Sequence, residues 1–153
     1  MKTRVKKARL GDVKQIHALV NAFADRGRML AVPLSDLYDN VRDFTVVCAG
    51  DGGLLGCCCL RIVWEDLAEI RSLAVTEEAQ GAGLGRELVE SCLAEARELG
   101  VPRVFALTYV PDFFAALGFC LIDKNELPHK VWADCVKCPK FPDCDEVAVA
   151  LDF

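Results

Sequence analysis

Three glycines at alternate positions lie in the run Gln80-Gly81-Ala82-Gly83-Leu84-Gly85, where the hydrophobic period of the chain changes. Before the run, residues 67–75 read as a strand. After it, Leu84, Leu88, Val89, Cys92, Leu93 and Ala96 recur on one face of a helix that stops at Gly100. A strand-to-helix turn so rich in glycine admits unusual dihedrals and lets a ligand approach the backbone. The first amides of a helix have no internal partners, and the helix dipole favours an anion there. The turn is therefore a candidate phosphate cradle. Turns of this kind also occur as plain connections, and dinucleotide folds place glycines in a similar setting. The dinucleotide reading wants a βαβ unit at the start of the domain followed by an acidic ribose ligand. Here an antiparallel meander precedes the loop instead.

The same logic gives the remaining elements. Residues 4–9 predict a first strand. Asp12, with Gln15 three residues on, has capping-box spacing ahead of a helix over 13–24 that buries Val13, Ile16, Leu19, Val20 and Phe23. Ser35 reads as the cap of a short helix to Val41. Strands over 44–48 and 54–64 flank the turn signal Asp51-Gly52-Gly53, and with 67–75 they form the meander. A strand over 104–108, a short helix opened by Pro111, a strand from Gly118 and a last strand over 146–153 complete the order. This is an α/β sandwich, a mixed sheet with helices packed on it.

With 153 residues, 53% hydrophobic and 27% charged, the chain suits a single globular domain spanning 1–153. The net charge of −5, with no dense basic run beyond residues 2–7, argues against a nucleic-acid partner. No apolar run is long enough to span a bilayer, so no membrane partner is expected, and no signal-peptide core follows Met1. The expected location is the cytoplasm. Nine cysteines, an odd number, argue against a disulfide framework. Cys57, Cys58 and Cys59 read as small buried hydrophobes of a core strand, as do Cys48 and Cys92.

At Glu69-Ile70-Arg71-Ser72-Leu73-Ala74-Val75, followed by the glycine run, the chain resembles the GCN5-related N-acetyltransferases (GNAT). Gln80, Gly83 and Gly85 fill the defined positions of that family's Arg/Gln-x-x-Gly-x-Gly/Ala pattern. Phe113-Phe114-Ala115-Ala116-Leu117-Gly118-Phe119 is similar to its Phe-Tyr-x-x-Leu-Gly-Phe segment. The resemblance implies a central mixed, mostly antiparallel sheet flanked by helices, and acetyl-CoA as cosubstrate. It implies that Leu73, Ala74 and Val75 meet the pantetheine arm, and that Gln80, Gly81, Ala82, Gly83, Leu84, Gly85 and Arg86 hold the pyrophosphate.

Acetyl transfer needs a neutral amine, a polarised thioester carbonyl and a thiolate that can leave. Glu69 stands where many members of the family keep a glutamate that takes the amine's proton; read from its surroundings alone it is equally a solvated strand residue. The usual acid is a tyrosine, and its position here is Phe114. Thr108 and Tyr109 are the alternative proton donors, unless they only line the cleft.

Within the family the chain is similar to amino-acid N-acetyltransferases of the N-acetylglutamate synthase type, which implies L-glutamate as acceptor and a place in arginine biosynthesis. Another amino acid, a protein N-terminus or a non-enzymatic acyl-CoA sensor are the rival readings. A dicarboxylate calls for cations, ideally a guanidinium. Arg61 is the first candidate, between Leu60 and Ile62 on an inner strand. Arg71, Arg28 and Lys130 follow, and Leu107 joins them through the matching stretch Phe105-Ala106-Leu107-Thr108. Arg26 flanks the same region. Arginines of relatives near the second helix are replaced here by Ala31, Val32 and Leu34.

Residues 122–145 form a cysteine-containing segment expected near the acceptor. Cys135, Cys138 and Cys144 have Cys-x-x-Cys-x5-Cys spacing, which suits a zinc ion. A redox pair, or plain packing with free thiols, fits it as well. Exposed edge strands leave a homodimer open.

Overall fold

The computed structural model describes residues 3–26, 31–128 and 146–153. The strands are β1 (Thr3–Lys7), β2 (Phe44–Ala49), β3 (Leu54–Trp64), β4 (Leu67–Val75), β5 (Arg103–Thr108), β6 (Cys120–Ile122) and β7 (Val147–Asp152), and the helices are α1 (Val13–Asp25), α2 (Leu34–Asp39), α3 (Leu84–Leu99) and α4 (Pro111–Ala115). The strands form one sheet in the order β1-β2-β3-β4-β5-β7-β6. Among these strands only the β4–β5 pair is parallel, because α3 carries the chain across between them. This is the mixed α/β sheet the sequence predicts.

Helices cover both faces. On one, α3 lays Leu84, Leu88, Val89, Cys92, Leu93 and Ala96 against Val47, Cys58, Leu60, Ala68, Ile70, Val104 and Ala106. On the other, α1 and α2 bring Val13, Ile16, Val20 and Leu37 onto Phe44, Val46, Cys57, Cys59 and Ala74. A third cluster joins Phe105, Ala148 and Ala150 with Val63, Leu67 and Leu127. The three adjacent cysteines thus divide between two cores, as the period of a strand requires. All three are buried and free, and burial pushes the Cys57 thiol up to about 12 and Cys59 higher still, so they are core side chains rather than nucleophiles.

The β3–β4 ladder falls out of register in its middle. Cys57 pairs with Ala74 but Cys59 pairs with Arg71, so Ser72 and Leu73 together oppose Cys58. This is a β-bulge, and Ser72 takes φ 51° to make it. A non-glycine residue there costs about 1 kcal/mol or more. The bulge inverts the alternation of β4. Ahead of it Ala68 and Ile70 face α3; beyond it Leu73 and Val75 face α3, and Ala74 faces α1.

Some local expectations shift. β1 ends at Lys7, two residues early. Asp12 does not cap α1 with its side chain: the carboxylate reaches back to accept from the Arg9 amide (2.8 Å), closing a 3-10 turn over Leu10–Asp12. Gln15 instead accepts from the Leu54 amide (3.2 Å), a contact 39 residues away that capping logic does not foresee. Leu34 rather than Ser35 opens α2, behind Pro33. The strand expected from Gly118 begins at Cys120, because Gly118, at φ 99°, turns the chain out of α4.

Candidate active site

The parallel pairing of β4 with β5 is registered at only two positions, Ala68 with Val104 and Glu69 with Phe105. Beyond them the strands part, although both continue, β4 to Val75 and β5 to Thr108. A gap therefore opens in the middle of the sheet. The amide of Thr76 donates to the Leu55 carbonyl of β3 (2.8 Å), so by alternation Val75 and Leu73 turn their peptide groups toward the gap. The side chain of Gln80 comes in from that side and donates to the Val75 carbonyl (3.0 Å).

The glycine loop closes one end of this gap. Gly81 (φ 86°) and Gly83 (φ 82°) are in the left-handed region, and a Cβ on either would meet nothing within 4 Å. They are glycines for their dihedrals, and the space over them is open. Gly85 differs: its φ is not in the left-handed region, and a Cβ there would meet the Phe113 ring at 3.4 Å, an ordinary contact that leaves room for a methyl but not for a larger side chain. Gly83 is the N-cap of α3, with no side-chain cap, and Leu84, Gly85 and Arg86 supply the first amides. The side chain of Leu84 is core, and Arg86 pairs with Glu90 on the exposed face (2.6 Å). What these two offer a ligand is backbone. Arg26, at the end of α1, ion-pairs with Glu77 just ahead of the loop.

Where the strands begin to part sits Glu69, nearly buried at 9% exposure, on the face opposite Ala68 and Ile70. Arg61 of β3 lies directly across from it. Arg71 shares that face, its Nε 3.8 Å from a Glu69 carboxylate oxygen. Arg71 is two residues on from Glu69 and the bulge begins only after it, so strand alternation keeps Arg71 on the side of Glu69 rather than aiming it away from the cleft. Asp43 is close enough for the Arg61 charge to act on it, while burial pushes its carboxyl up. On β5, Phe105 and Leu107 belong to the same side as Glu69. The result is a carboxylate beside the Arg71 guanidinium, with Arg61 as its partner across the ladder, next to an opening in the sheet. It can accept a proton, and the cations beside it suit an anionic ligand.

Of the candidate acids, Thr108 is buried at the end of β5. Its hydroxyl oxygen accepts from the Val110 amide (2.9 Å), which shapes the turn into α4. Tyr109 is exposed next to it. Phe114, at the position where the family pattern has tyrosine, packs edge-on to Phe113 and Phe119 in the core. Arg28, Lys130, Cys135, Cys138 and Cys144 lie outside the described residues. Among the described residues no group of three or more His, Cys, Asp and Glu side chains is arranged to hold a metal, and no helix is long and apolar enough to cross a membrane. Ser72 is missing from the residues the sequence singles out, because nothing local marks a serine as the one that leaves the strand conformation.

Residues 15–120 match the acetyltransferase (GNAT) family. An uncharacterised N-acetyltransferase of Chlorobaculum tepidum is 42% identical over 147 residues, 96% of this chain and 94% of that protein. An amino-acid acetyltransferase of Mycobacterium tuberculosis is 38% identical over 130 residues, 84% of this chain and 74% of that one. Among solved structures, N-acetylglutamate synthase of Neisseria gonorrhoeae, complexed with coenzyme A and N-acetyl-glutamate, superposes with a TM-score of 0.88 at 27% identity. That match covers 99% of this chain and 35% of the longer synthase chain. The chain belongs to the acetyltransferase (GNAT) family, as an N-acetyltransferase similar over most of its length to amino-acid acetyltransferases.

Proposed function

We propose that the protein transfers the acetyl group of acetyl-CoA to the α-amino group of a small amino acid, with L-glutamate the first acceptor and arginine biosynthesis its setting. The observation that carries this reading is the parting of β4 and β5 directly beside Glu69, with the glycine loop at its far end. Peptide groups of Leu73 and Val75 suit an amide-bearing arm lying along a strand edge. The amides at the start of α3, under open glycines, suit a pyrophosphate. Acetyl-CoA supplies the activated thioester.

The chain's own residues do the rest. Glu69 takes the proton of the ammonium, directly or through one water, and releases the lone pair for attack. As the C–N bond forms and the C–S bond breaks, the nitrogen gives its second proton to the departing sulfur or to water, and coenzyme A can leave as thiolate, which is stable enough at neutral pH to need little help. Thr108 and Tyr109 are the polar groups at the end of β5 available to protonate it. Arg61, with Arg71, Arg28 and Lys130, holds the acceptor's carboxylates, and Leu107 lines the side of β5. The Neisseria gonorrhoeae synthase and the Mycobacterium tuberculosis acetyltransferase support an amino acid as acceptor. The spacing of Cys135, Cys138 and Cys144 remains a sequence-level case for zinc, decided by elemental analysis of the pure protein.

The test is thiol release from acetyl-CoA with each of the twenty amino acids, for wild type and Glu69→Gln. The expected result is a preference for glutamate that collapses in the variant. A preference for lysine or polyamines would sink the glutamate reading. No turnover with any amine, with coenzyme A still bound, would make the protein an acyl-CoA sensor.

A further inference from the structure

We infer that Cys57 is a positioning residue whose thiol clamps the Ser72 bulge and so sets which peptide groups of β4 face the gap. The thiol is fully buried and takes no part in acetyl transfer itself. Its Sγ donates to the Ser72 carbonyl at 3.4 Å. Cys57 is also the ladder partner of Ala74, so the residue holds β4 on both sides of Leu73, where the β3–β4 ladder falls out of register. Burial keeps the thiol protonated, the form that has a hydrogen to donate.

Strand parity gives the clamp its consequence. Beyond the bulge, Leu73 and Val75 turn toward the gap and Ala74 turns toward β3. Were β4 regular, the assignment would reverse, and the gap would face the peptide groups of Ser72 and Ala74 instead. Ser72 holds a dihedral that serine disfavours, so the bulge needs support from its surroundings. Cys57 supplies it from the α1 side of the sheet, opposite the face on which Leu73 and Val75 pack. Cysteine suits the task because it is small enough for a packed strand yet still has a hydrogen to donate to a backbone carbonyl.

The inference rests on reading the gap as the coenzyme site, so the test has one arm with coenzyme and one without. Cys57→Val keeps an apolar, strand-favouring side chain but removes the bond to the Ser72 carbonyl, while Cys57→Ser retains a donor. In the protein without coenzyme, amide hydrogen exchange at residues 73–75 should speed up in Cys57→Val and return to the wild-type rate in Cys57→Ser. Titration calorimetry with coenzyme A should show about fivefold weaker binding for the valine variant, the size of one lost hydrogen bond, and recovery for serine. If valine does not fold, Cys57→Ala carries the same comparison. Unchanged exchange and affinity in Cys57→Val, or serine behaving like valine, would overturn the clamp. Failure of the wild type to bind coenzyme A would overturn the coenzyme reading, and the exchange arm would still judge the clamp.

Discussion

Glu69 and Arg71, two positions apart on β4, bring a carboxylate oxygen and a guanidinium nitrogen to 3.8 Å on the same face of the sheet. Across the ladder, Arg61 stands opposite Glu69. A base for an ammonium must be within reach of the amine, directly or through one water, and the advantage of Glu69 lies in its position at the mouth of the gap. Glu69→Gln is expected to lower kcat by about 10²–10⁴-fold while leaving the KM for acetyl-CoA little changed. Part of the loss should return at high pH, where the amine is neutral in bulk. Thiol-release rates from pH 6 to 10, a range of about four units around the titration of an amine, read both effects. A variant as fast as wild type at neutral pH would remove Glu69 from the mechanism.

Arg61 is expected to act on the acceptor alone. Arg61→Ala should raise the KM for the amino acid by about tenfold or more, the size of a lost charge-assisted hydrogen bond, and leave that for acetyl-CoA unchanged. Arg61→Lys should recover only part of it, since a point charge does not replace a planar fork. Steady-state kinetics with each substrate varied in turn separates the two constants. Equal changes in both would mean that Arg61 supports the sheet around Glu69, not the acceptor.

The loop glycines should respond differently to alanine. Gly83 has space around its Cβ position but a φ of 82°, so Gly83→Ala is expected to cost about 1 kcal/mol through the backbone. Gly85 is helical, and its added Cβ would reach ordinary contact with Phe113 at 3.4 Å, so Gly85→Ala should be close to neutral in stability. Gly85→Leu should be disruptive, because the larger side chain has the ring in its way. Urea unfolding of the three variants gives the ranking, and Gly85→Ala costing more than Gly83→Ala would contradict it.

At the other end of the sheet, Arg103 grips Asp152 with two bonds (2.6 and 3.0 Å), tying the start of β5 to the end of β7. The hydrogen bond from Arg103 holds the Asp152 carboxyl below its ordinary value of 3.8. A depressed folded-state value means that the link contributes fully above 3.8 and fades as pH falls through the lower folded value. The pair is exposed, so its contribution is at most about 1 kcal/mol and falls with salt. Asp152→Asn should therefore lower stability at pH 7 and converge with wild type as the pH drops below 3.8. Denaturant melts at several pH values check this, and a gap that widens on acidification would refute it.

Local sequence is enough to specify the elements and the loop. Helical spacing from Leu84 to Ala96, the apolar β-rich runs of β2 and β3 on either side of the Asp51-Gly52-Gly53 turn, and glycine at 81, 83 and 100 are local signals, each tied to a backbone conformation by sterics or period. Gly118 is legible as part of a motif but not as the turn that delays β6. The assembled sheet decides what the elements do together. The parting of β4 and β5 depends on how α3 returns the chain to the sheet. The bulge at Ser72 depends on β3 being out of step with β4 by one residue, and serine carries no local mark of it. Asp12 and Gln15 take partners that no spacing rule names. Pairing register is a property of two strands at once, whereas period and glycine dihedrals belong to one segment, and the placing of Glu69, Arg61 and Arg71 on one face comes from the former.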